Sequence, residues 1–88
     1  MSTASITWLD GYAPVQAEGF THDGRAFYFR ARGNRWSFTV GSYDETIDPW
    51  SREEAYGDEP YAASWMEHDV ARSLILRCLR EYESEISS

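Results

Sequence analysis

Eighty-eight residues allow one core and no second domain, and an aromatic share of 16% supplies the large side chains that a short chain needs to fill it. Fifteen acids against eight bases, all of them Arg, give a net charge of −7, which repels nucleic acid and anionic membranes at long range and favours basic partners. No apolar run reaches the ~18–20 residues that span a bilayer, the first residues lack a secretion signal, and the lone Cys78 excludes a disulfide framework or a cysteine-built metal site. The expectation is a cytosolic single domain without cofactor.

The first half of the chain alternates with period two. Ile6-Thr7-Trp8-Leu9 reads as a short edge strand, and 15–20 as a second strand. The chain then turns through His22-Asp23-Gly24. A two-residue Asp-Gly turn would place Gln16 and Glu18 on the apolar side of the sheet. A three-residue loop with Gly24 in the left-handed conformation instead pairs Gly19 with Phe27, Ala17 with Phe29 and Val15 with Ala31, setting small residues beside large ones. Because a one-residue slip turns every side chain to the other face, the three-residue loop is the expected one.

Phe27, Phe29 and Ala31 alternate with Tyr28, Arg30 and Arg32, and after Gly33-Asn34 the pattern resumes in Trp36, Phe38 and Val40. Gly-Asn between two such runs is a hairpin signal. Pairing Arg32 with Arg35 puts Ala31 opposite Trp36, Phe29 opposite Phe38 and Phe27 opposite Val40, so all six apolar residues share a face. The other face would carry Glu18, Phe20, Tyr28, Arg30, Arg32 and Arg35, an Arg and aromatic surface able to stack and clamp single-stranded RNA. The overall negative charge opposes that use.

Residues 41–63 read as an acidic, aromatic connection, long for so small a domain, and Ser51-Arg52-Glu53-Glu54 could cap a short helical turn inside it. Beyond it, Val70, Ala71, Leu74, Ile75, Cys78, Leu79, Tyr82 and Ile86 recur at spacings of three and four, the stripe of an amphipathic helix beginning within 64–68. Ser64 to Glu67 has the spacing of a capping box. The expected fold class is α+β: an antiparallel sheet of three to four strands with one C-terminal helix packed on its apolar face.

From Asp44 to Asp69 nine acids stand against one base, Arg52. Asp44, Glu45, Asp48, Glu53, Glu54, Asp58 and Glu59, interleaved with Trp50, Tyr56 and Tyr61, have the composition of an interface in which carboxylates steer toward a basic partner and rings anchor it. The same residues also suit a solvated loop whose aromatics cover the end of the sheet. His22 falls in a turn. His68, between Glu67 and Asp69, has no second ligand at helical spacing, and Cys78 lies on the apolar stripe, so the chain is expected not to be an enzyme and to hold no metal.

The run Phe27-Tyr28-Phe29-Arg30-Ala31-Arg32-Gly33, then Trp36-Ser37-Phe38, then Trp65-Met66 leading into an Arg-rich helix, resembles small proteins carried by phages and prophages of Gram-negative bacteria. It covers about half of the chain. Anti-CRISPR inhibitors recur among such proteins. The resemblance implies a monomer or weak homodimer in the cytoplasm of an infected host that occupies a basic surface of a CRISPR effector complex and blocks its DNA binding, with carboxylates standing in for phosphates. It transfers no functional residue. A phage structural or assembly role is the alternative in the same setting.

Overall fold

The structure, a computed structural model, describes residues 4–41 and 50–86. Five antiparallel strands follow one another in chain order across a single sheet: β1 (Ser5–Asp10), β2 (Val15–Phe20), β3 (Ala26–Arg32), β4 (Arg35–Val40) and β5 (Trp50–Ala55). A 3-10 turn at Ala63–Trp65 leads into α1 (His68–Ile86), which lies across one face. The fold class is therefore α+β as expected, with a five-stranded sheet rather than three to four strands.

Both inner registers are those that the alternation requires. Val15, Ala17 and Gly19 stand opposite Ala31, Phe29 and Phe27, and these stand opposite Trp36, Phe38 and Val40 in turn. Gly24 takes a φ of +84° and closes the three-residue loop, while Gly33 at +63° occupies the first central position of the hairpin turn, as a type II′ turn demands. Eight of these side chains form a buried layer, and Ala71, Ile75, Cys78, Leu79 and Tyr82 of α1 close over it. Gly19 is needed for a different reason. A Cβ there would lie 2.1 Å from the Ser5 carbonyl oxygen and 2.6 Å from the Phe27 ring, so β1 and Phe27 approach as closely as they do only because position 19 has no side chain.

Edge strand β1 carries a bulge. Ile6 pairs with Gly19 and Trp8 with Glu18, leaving Thr7 as the extra residue, whose hydroxyl donates to the Glu18 carbonyl at 3.0 Å. The extra residue lets Ile6 and Leu9, three apart, both turn toward the core while Trp8 points outward.

The fifth strand is the main correction. Ser51-Arg52-Glu53-Glu54 forms no helical turn, because Trp50, Arg52 and Glu54 pair with Val40, Phe38 and Trp36 along the exposed edge of β4. Trp50 packs edge-on against Phe38 and Tyr82, at ring separations of 6.0 and 5.5 Å. Arg52 lies 4.2 Å over the Trp50 ring and pairs with Glu81 and Glu85 of α1. Glu54 pairs with Arg77 at 3.0 Å, and Arg77 reaches over Trp36. These partly exposed pairs each add little to stability, but they seal the margin between β5 and α1. Inward charges on an edge strand also discourage pairing with another chain. The capping box does not form either: Ser64 is buried, and its hydroxyl accepts from the Gly33 N–H at 2.7 Å.

Cys78 is fully buried and its thiol is pushed up to about 11 by that burial. The native protein should therefore resist a maleimide at pH 7.5, reacting on the order of 10³-fold or more slowly than the urea-unfolded chain. Rapid labelling of the native chain would show that α1 does not stay packed. No helix among the described residues is long and apolar enough to cross a membrane.

Candidate partner-binding surface

One end of the sheet gathers the features that composition could only suggest. The chain returns from β5 to the hairpin turn: the Tyr56 N–H donates to the Asn34 carbonyl at 2.6 Å, and the Ala63 and Ser64 N–H groups donate to the Gly33 carbonyl. The Ala13 N–H donates to the Ser64 carbonyl at 2.8 Å, tying the β1–β2 loop to the same point. Residues 57–69 are thus moored beside Gly33 rather than left as a free loop.

Three aromatic side chains at this end face solvent. Tyr61 is 69% exposed, Trp65 64% and Tyr12 46%. Tyr12 stacks between Trp65, at 5.8 Å, and His68, at 4.6 Å. The His68 Nε2 lies 2.9 Å from the Gly11 carbonyl, which can only accept, so that nitrogen carries the proton and pins the loop to the start of α1. Asp58, Glu59, Glu67 and Asp69 surround this segment in sequence, and among the described residues none of their carboxylates forms an ion pair. Exposed rings among unpaired carboxylates form a surface that can take a desolvated contact and attract positive charge at a distance.

The expected interface residues divide into three groups. Asp58, Glu59 and Tyr61 are exposed at this end. Glu53 and Glu54 lie on β5, paired with Arg35 at 2.8 Å and with Arg77, and the half-buried Trp50 and Tyr56 pack against the core, so their rings are largely spent on folding. Asp44, Glu45 and Asp48 lie outside the described residues. Sequence reasoning missed Tyr12 and the part played by His68. Neither has a local signal, since a loop tyrosine at position 12 meets Trp65 only through the folded sheet.

The opposite end is built for stability. Tyr82, 1% exposed, donates to Asp23 Oδ2 at 2.9 Å, and the Thr21 hydroxyl donates to Asp23 Oδ1 while accepting from the Arg25 N–H. His22 pairs with Glu83. Burial would raise the Asp23 carboxyl, but the hydrogen bonds from Thr21 and Tyr82 outweigh it and hold the group below its usual 3.8. A carboxyl lowered by folding contributes stability above its unfolded value and loses it as pH falls through the folded one. Urea midpoints at pH 6 and pH 3 should therefore fall further for the parent than for Asp23→Asn, and equal losses would exclude this clasp as an acid-sensitive element.

Among the described residues no three His, Cys, Asp or Glu side chains gather as a metal site requires. Comparison with family models, curated proteins and solved structures finds no match to this chain, so its own geometry is what bears on its function.

Proposed function

We propose that this protein acts by binding: it docks its acidic, aromatic end on a basic surface of a protein partner and blocks what that surface would otherwise hold. The observation that carries this reading is the exposure of Tyr61 and Trp65 beside the carboxylates of residues 58–69, which form no ion pair among the described residues. Large rings left in water on so small a domain favour a contact that buries them. A net charge of −7 gives the attraction its sign. The resemblance to phage inhibitors names the first partner to try, a CRISPR effector complex. Its nucleic-acid-binding surface would be the basic target, and loss of DNA binding the consequence.

The test is capture with tagged protein from a CRISPR-bearing bacterial lysate, read by mass spectrometry, with Asp58→Lys/Glu59→Lys and Trp65→Ala chains as controls. Stoichiometric recovery of an effector subunit that both controls lose, together with blocked target-DNA binding by the purified effector, supports the reading. Recovery of capsid components, of RNA alone, or of the same proteins by all three chains counts against it.

A further inference from the structure

The outer face of the sheet, away from α1, holds an arrangement that neither the core nor the acidic end explains. Arg32 and Arg35 are direct cross-strand partners on either side of the Gly33-Asn34 turn, and Arg30 lies two residues along the same face. Like charges directly opposite each other on a sheet repel. With Trp36, Ser37 and Glu53 the three arginines line a depression of about 290 Å³. Glu53 is the one acid among the described residues that line it, and Arg35 Nε already donates to Glu53 Oε1 at 2.8 Å. The Arg30 Nε–H is buried and has no hydrogen-bond partner among the described residues. A buried guanidinium N–H without an acceptor is costly. An oxyanion in the depression would offset the repulsion between Arg32 and Arg35 and offer acceptors to the guanidinium groups that line it.

We propose that the Arg30–Arg32–Arg35 depression is a phosphate-binding site. A guanidinium offers paired N–H donors in a planar fork that matches two oxygens of a phosphate, and three such groups with the Ser37 hydroxyl can surround one. Two sources share this chemistry. A small phosphorylated compound supplies the group alone. Single-stranded nucleic acid supplies it in series, with bases that could stack on Tyr28, Trp8 and Phe20 of the same face; Trp8 and Phe20 are 45% and 50% exposed. The net charge of −7 works against a polyanion and less against a compact one, which favours the small compound.

The experiment titrates the full chain with sodium phosphate and with pyrophosphate at constant ionic strength, following the arginine Nε–H signals by NMR. The expected result is a saturable shift at Arg30, Arg32 and Arg35, tighter for pyrophosphate, weakened about tenfold or more by Arg30→Gln or Arg32→Gln. It should be unchanged in Arg72→Gln, an exposed arginine on α1. Circular dichroism of each variant confirms that the sheet is intact. An oligouridylate that binds at least about tenfold tighter than pyrophosphate, and shifts the Trp8 indole N–H, assigns the phosphate to nucleic acid; equal or weaker binding assigns it to a small compound. A drift that never saturates, or a shift that the Arg30 and Arg32 variants retain, overturns the site.

Discussion

Gly19→Ala is expected to lose about 2–3 kcal/mol of stability and to lower the melting midpoint by about 10–20 °C. The added methyl has nowhere to go. It would sit 2.1 Å from the Ser5 carbonyl oxygen and 2.6 Å from the Phe27 ring, one a backbone atom of the neighbouring strand and the other a side chain fixed by its own layer. Phe27 packs tilted against Phe38, with ring centroids 5.1 Å apart, so turning it aside disturbs β4 as well. Gly24→Ala separates crowding from backbone effects. Its Cβ would meet nothing within 4 Å, and its cost comes only from the φ of +84°, about 1 kcal/mol. Thermal melts of the two variants decide the matter: if Gly19→Ala is no worse than Gly24→Ala, β1 is not seated on β2 as described.

The second large effect concerns the acidic end. Trp65→Ala should weaken partner binding by about 2 kcal/mol or more, roughly thirtyfold, and act mainly on dissociation, as loss of a central aromatic anchor does. Asp58→Lys/Glu59→Lys should instead slow association and flatten its dependence on salt. Neither carboxylate has an ion pair among the described residues, so reversing them should change folding by no more than about 0.5 kcal/mol. Surface-plasmon or stopped-flow rates on the captured partner separate the two effects. If both variants bind at parental rates, the interface lies elsewhere.

Some of this was written in local pattern. The β3–β4 hairpin and the β2–β3 register follow from alternation with period two, since one register alone keeps Val15, Ala17, Phe27, Phe29, Trp36 and Phe38 on one face. The α1 stripe is equally local: Ala71, Ile75, Cys78, Leu79 and Tyr82 sit at helical spacing and are all buried. Composition did not separate Tyr61, which is exposed beside Asp58 and Glu59, from Trp50 and Tyr56, which pack against the core, because all three are rings among carboxylates.

The rest needed the folded molecule. Trp50-Ser51-Arg52-Glu53-Glu54-Ala55 carries no strand signal of its own, and Arg and Glu are better helix formers than strand formers. It is a strand because β4 offers it unpaired backbone groups and because α1 supplies Arg77, Glu81 and Glu85 to meet its inward charges. Strand propensity reflects such neighbours more than the residues themselves. The Thr7 bulge, the meeting of Tyr12 with Trp65 and His68, and the use of Trp50 for the core rather than for a partner have the same origin. By itself the sequence determined the buried faces of β2, β3 and β4 and most of the stripe of α1, because periodicity is a local property. Which charges pair, which rings stay in water and where the arginines converge were decided by the tertiary structure, because those depend on contacts between segments far apart in the chain.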